Sequence, residues 1–132
     1  EMAKEEIVKK NFKAAKELLE KALLYPVNLG EGRLEGTKDN NIYYYLGVVE
    51  AEFGEAERSE ECFKNAELGV DEPAGAMYYY DQPADMILYK GLANRKLGNT
   101  NAACVCFNKL MDYGKKHLYD KMITLLYPCL IF

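Results

Sequence analysis

One set of residues recurs every 44 positions in this 132-residue chain. Ala15, Leu19 and Ala22 return as Ser59, Phe63 and Ala66, and again as Ala103, Phe107 and Leu110. A small residue, a large one four positions on and an apolar one three further lie along one face of a helix. At a fixed period, such a pattern marks stacked helical hairpins, none of which buries its apolar face alone. It predicts an all-α chain in which each hairpin packs on the next, an architecture used more for binding than for chemistry.

Glycines set the expected boundaries. Residues 5–24 carry a stripe of Ile7, Phe12, Ala15, Leu18, Leu19 and Ala22 at helical spacing, and by register Lys10-Asn11 falls at a turn that splits this run. A connector rich in Gly and Pro, residues 25–39, precedes a helix that Asp39 or Asn40 can cap. That helix runs to Phe53, with Ile42, Leu46, Val49 and Phe53 spaced for one buried face, and Gly54 stops it. A second helix, 55–68, is closed by Gly69. The plan repeats after a connector at 70–83: helix 85–97, Gly98, then helix 102–113 closed by Gly114. A final helix at 115–126 and an apolar tail, Leu130-Ile131-Phe132, complete the chain. The expected organisation is a single domain: a partial first repeat at 1–24, repeats at 40–69 and 84–114, and a C-terminal helix and tail at 115–132.

These residues resemble the tetratricopeptide repeat (TPR), a helical hairpin of about 34 residues with Leu-Gly in its first helix, Gly at its turn and Ala…Phe…Ala in its second. The middle copy supplies Leu46-Gly47, Gly54, Ser59, Phe63 and Ala66, and the third supplies Gly91, Gly98, Ala103, Phe107 and Leu110. The resemblance implies a TPR-like α-α superhelix. Gly47 and Gly91 would let a neighbouring helix approach, and Phe63 and Phe107 would fill the space between hairpins. The longer period places extra residues at 25–39 and 70–83, as long inter-repeat loops. Segments such as Asn28-Leu29-Gly30-Glu31-Gly32, Met77-Tyr78-Tyr79 with Asp81-Gln82-Pro83, and Asp112-Tyr113-Gly114 with Lys116-His117-Leu118 are also similar to the C-terminal repeat region of large multidomain proteins that carry an N-terminal domain of unknown function.

Charge and composition exclude several classes. A net charge of −4 and a pI near 5.1 argue against a phosphate-binding surface, and the N-terminal lysines are interleaved with glutamates as on a solvated helix face. No apolar run reaches the roughly 18–20 residues of a membrane span. Neither nucleic acid nor membrane is therefore an expected partner. Cys62, Cys104, Cys106 and Cys129 form no CxxC pair, and His117 stands alone, so no metal or other cofactor is expected. Free thiols serving as small core residues fit a reducing, cytoplasmic setting. No phosphate-binding glycine loop and no nucleophile motif is present, so the chain is not expected to be an enzyme.

Two binding regions follow from the register. The groove formed by the first helices would present Tyr44, Val48, Ala51 and Glu52, then Leu88, Leu92, Arg95 and Lys96. In TPR domains this groove takes extended peptides, but the positions that would clamp a terminal carboxylate hold Tyr44, Val48, Asp85 and Tyr89. The second region is the loop Tyr78, Tyr79, Tyr80, Asp81 and Gln82, whose aromatic, acid and amide groups suit sugars, peptides or a protein surface, or alternatively plug the space between hairpins. The expected function is a non-catalytic protein–protein interaction or scaffold module, binding a protein or peptide or other domains of an intact protein. The alternative is an accessory module of a carbohydrate-binding or carbohydrate-processing protein. Self-association to a homo-oligomer through repeat ends near Ile7 and the apolar tail is a further possibility.

Overall fold

A computed structural model describes residues 1–24, 38–73 and 82–126, with side chains as far as residue 118. Within these residues the chain is all helical and contains no strand. The elements are α1 (Met2–Val8), α2 (Phe12–Ala22), α3 (Asn40–Glu52), α4 (Ala56–Ala66), α5 (Met86–Lys96) and α6 (Thr100–Leu126). They pair in sequence as α1–α2, α3–α4 and α5–α6, while α3 also packs on α2 and α5.

The 44-residue period is built into the backbone at the hairpin turns. Lys10, Gly54 and Gly98 all adopt the left-handed conformation, with φ of 60°, 80° and 83°. The residue after each donates its N–H to a carbonyl five positions back: Asn11 to Glu6 at 2.8 Å, Glu55 to Glu50 at 3.0 Å, Asn99 to Asn94 at 2.8 Å. Lys10, Gly54 and Gly98 themselves donate to Ile7, Ala51 and Arg95. This paired pattern is the Schellman motif, which satisfies the last carbonyls of a helix and reverses the chain. Two copies use glycine, which reaches positive φ without a steric cost, and the first uses lysine. The split at Lys10-Asn11 is therefore a real turn.

Inside each complete hairpin the contact is glycine against phenylalanine. A Cβ on Gly47 would lie 2.6 Å from the Phe63 ring, and one on Gly91 would lie 2.6 Å from the Phe107 ring. The two glycines thus let the neighbouring helix of their own hairpin approach and admit its ring, as expected. Phe63 reaches both ways, since it also belongs to a cluster with Ala66 and Ala93 that joins the second hairpin to the third. Ser59 reinforces the second hairpin by donating to the Gly47 carbonyl at 2.7 Å.

The core is a line of small clusters, one per seam. Ala15 and Leu19 of α2 pack on Leu46 and Val49 of α3, with Ile7, Phe12, Leu23 and Ile42 around them. Among the recurring residues Ala22 is exposed and Phe107 and Leu110 are half-buried, so the repeated stripe is a register more than a uniform burial pattern. Phe53 is 47% exposed where its spacing predicted burial. Its ring instead lies under the Lys16 ammonium at 5.7 Å, a cation–π contact that favours an accessible ring face. Cys106 is buried and Cys62 half-buried, as expected of small core residues, but Cys104 is exposed.

The largest departure from expectation lies at Gly114. The helix expected to close there continues as one 27-residue element, about 40 Å long. A glycine inside a helix costs roughly 1 kcal/mol but does not end it unless the chain adopts positive φ. Gly114 does not, and neither glycine nor proline follows it before Pro128. His117 accordingly lies inside a helix, exposed and stacked on Tyr113 with ring centroids 4.0 Å apart.

Candidate functional site

The first helices of the second and third hairpins meet through aromatic side chains, and α1 reaches them through a lysine. Tyr45 of α3 and Tyr89 of α5 occupy the same register position, 44 apart, and their ring centroids stand 5.8 Å from each other in an edge arrangement. Tyr44 lies 5.4 Å from Tyr45, 6.0 Å from Tyr89 and 5.9 Å from Phe63. Lys4 of α1 adds its ammonium over the Tyr45 ring at 5.6 Å. Edge-to-face and tilted rings at these separations hold one another rigidly, and the cation is attracted to the negative face of the ring.

The electrostatics follow from this crowding. Burial pushes the Tyr44 hydroxyl above its ordinary value, against the opposing pull of the Arg95 charge. Tyr45 is raised in the same way, first by burial and then by Tyr89. The Lys4 ammonium is held above its usual value mainly by Tyr89 and then by Tyr45. Tyr44 and Tyr45 are therefore held in their neutral form, with the Lys4 ammonium over one ring and the Arg95 charge acting on the other. A cavity of about 360 Å³ opens beside it, bordered by Lys4, Ile42 and Tyr45. The Tyr44 and Tyr45 rings are half-buried and Tyr89 is buried beneath them, so the face presents two partly accessible rings with positive charge beside them, a combination suited to holding a chain segment.

Of the groove residues expected from the sequence, Tyr44, Val48 and Arg95 come together around this cluster. Leu92 is half-buried, while Glu52, Arg95 and Lys96 are exposed. Glu52 and Lys96 share a register position with opposite charges. Lys4 and Tyr45 were not expected as site residues. The period itself would have found both, because Tyr45 is the register mate of Tyr89, and Lys4 is the register mate of the groove residues Val48 and Leu92.

The second expected region falls mainly outside the described residues: Tyr78, Tyr79, Tyr80 and Asp81 lie there. Gln82 is described and fully engaged. Its Nε2 donates to Asn40 Oδ1 at 3.0 Å, and its Oε1 accepts from the Val70 N–H at 3.2 Å. Asn40 is completely buried and uses its own Nδ2 to donate to the carbonyls of Ala66 and Leu68, at 2.8 and 2.6 Å. Asn40 thus serves the C-terminal carbonyls of α4 across the hairpin, more than the start of its own helix.

Among the described residues no cluster of three or more His, Cys, Asp or Glu side chains could hold a metal ion, and no helix is long and apolar enough to cross a membrane. No family model matches the chain, and no solved structure matches it.

Proposed function

We propose that the chain is a non-catalytic interaction module built of TPR-like hairpins, and that its binding surface is the face formed by α1, α3 and α5. The observation that carries this reading is the aromatic cluster Tyr44–Tyr45–Tyr89 with Lys4 and Arg95 beside it. Register-equivalent turns at Lys10, Gly54 and Gly98 support it, because they give successive first helices the same exit and so align their side chains. The ligand is an extended peptide segment of a partner protein, or of another domain of the same polypeptide, with apolar and acidic side chains to meet the rings and the cations. The carbohydrate reading is second, since Gln82, the one residue of its loop with described partners, is already hydrogen-bonded at both ends of its amide.

Selection from a random peptide display library tests the proposal. Binders should be enriched in acidic and apolar residues and should weaken about tenfold or more on Tyr45→Ala, a typical loss for an aromatic anchor. Arg95→Glu should disfavour acidic sequences. Binders indifferent to both substitutions would remove the face from consideration, and a glycan array hit lost in Tyr79→Ala would favour the carbohydrate reading.

A further inference from the structure

A second cavity, of about 570 Å³, lies between the second and third hairpins and away from the aromatic face. Leu68, Val105 and Cys106 give it apolar walls, Lys90 and Lys109 bring two cations to its rim, and one carboxylate outside the strap, the half-buried Glu67, also lines it. Leu68 and Val105 are 51% and 52% exposed, unusual for residues at a seam between repeats. The repeat supplies the comparison that explains it. Lys90, Asn94 and Lys109 stand where the second hairpin has Leu46, Glu50 and Asn65. There, the groove carries the anion Glu50, and α2 of the preceding hairpin seats Leu19 in it and brings Lys16 to within 2.7 Å of the carboxylate. In the third hairpin the same groove has exchanged its anion for two cations. The register mate of Lys16, Glu60, does not answer them; it pairs with Lys64 on its own helix.

What does answer them is a short strap. After Gly69, Asp71 forms an ion pair with Lys90, and Glu72 meets Lys109 at 2.6 Å. Lys90 also donates to the Gly69 carbonyl, and Lys109 to that of Asp71. The Asp71 carboxyl is held below its ordinary value first by the hydrogen bond from Lys90, and Lys109 is raised first by the one to Glu72. Yet the two carboxylates are themselves 71% and 76% exposed, so they are screened by solvent and salt and hold weakly.

We infer that this cavity is a docking site for an acidic segment of a partner protein, with Asp71 and Glu72 acting as an intramolecular stand-in that the segment displaces. The two lysines are the recognition groups for a pair of carboxylates, and the Leu68–Val105 walls take an apolar residue next to them. Lysine is suited to this exchange because its flexible stem lets one carboxylate replace another without a fixed fork geometry.

The experiment uses a fluorescein-labelled, N-acetylated hexapeptide with the strap's own sequence, Leu-Gly-Val-Asp-Glu-Pro, read by anisotropy at low salt. The double variant Asp71→Asn, Glu72→Gln should bind it about tenfold more tightly than the unaltered chain, and adding Lys109→Gln should reverse the gain, as for loss of a charge-assisted contact. A peptide with Asn-Gln in place of Asp-Glu should not bind. Absence of binding by the double variant with unchanged helical circular dichroism would overturn the inference. So would binding that Lys109→Gln leaves intact, or equal competition by citrate, which would make the rim a general anion site. A second measurement needs no altered strap: in the unaltered chain, excess acidic peptide should speed hydrogen exchange at the Val70–Glu72 amides while the Asn-Gln peptide does not. Equal exchange with both peptides would also sink it.

Discussion

The two seams of this molecule share a backbone register and differ in chemistry. Between the first and second hairpins, α2 lies against α3 with Ala15 and Leu19 on Leu46 and Val49. One buried charge pair crosses the seam: Glu50 is 2% exposed and its Oε1 meets Lys16 at 2.7 Å, with Arg58 at 3.6 Å. Between the second and third, Phe63, Ala66 and Ala93 form a smaller apolar cluster. No buried charge crosses there among the described residues; exposed carboxylates clasp lysines from outside, and the cavity there, about 570 Å³, is larger than the one of about 360 Å³ that α2 and α3 border at the first seam. A repeat fixes where helices meet, but each seam's side chains decide whether it is sealed or left available.

The sealed seam should be the more fragile to loss of its charge partner. Lys16→Met strands the Glu50 carboxylate, whose Oε2 already has no hydrogen-bond partner among the described residues. Removing one member of a buried pair costs about 3–5 kcal/mol. Because Lys16 is partly solvated and Arg58 remains nearby, we expect roughly 2–3 kcal/mol, read by urea denaturation. Lys109→Met at the other seam should cost little by the same measurement, as for an exposed pair screened by solvent. Equal losses would erase the distinction between the seams.

Within the hairpins the comparison runs between Phe63 and Phe107. Gly47→Ala drives a methyl into a buried ring, and Gly91→Ala drives one into a half-buried ring that can move toward solvent. Overpacking of this kind costs about 1–3 kcal/mol, and Gly47→Ala should lie at the upper end. A thermal melt in which Gly91→Ala proves the worse would mean that the third hairpin is packed as tightly as the second.

A smaller effect, of opposite sign, is expected at the first turn. Lys10 holds φ of 60° where its register mates are glycines. Lys10→Gly should stabilise the chain by about 0.5–1 kcal/mol, the left-handed cost relieved less the added freedom of the unfolded chain. Gly54→Ala should do the reverse. No change in either would indicate that the turn geometry does not set hairpin stability.

The smallest effect concerns pH. Asp71 has a folded-state value below its ordinary one, so its contribution is present above the unfolded value of 3.8 and is lost as pH falls through the folded one. The strap should therefore stay closed at neutral pH and release only in strong acid, seen in an NMR titration of the Asp71 carboxyl as a midpoint below its ordinary value and before global unfolding. Release near neutrality would contradict the Lys90 pairing.

Much of this arrangement was legible in the residues. The period located all three turns, including the one at Lys10-Asn11 that has no glycine, because register carries over where composition is silent. Two residues it assigned to the groove, Tyr44 and Val48, pack against the same apolar cluster. It could not reveal that Gly114 would be passed through, since a glycine ends a helix only when tertiary context draws it to positive φ. Nor could it assign Asn40, whose partners are carbonyls 26 and 28 positions away.

The sequence by itself determined the first five helices, the three hairpin turns and the pairing across them, because helical periodicity and left-handed stops are local properties of the chain. Only the tertiary structure decided which repeated positions are sealed and which stay open. Glu50 and Asn94, Leu46 and Lys90, Asn65 and Lys109 are pairs of equals in register. Whether each faces an apolar neighbour, a buried counter-charge or an exposed strap depends on groups far away in the chain, and on the cost of taking charge out of water at that point.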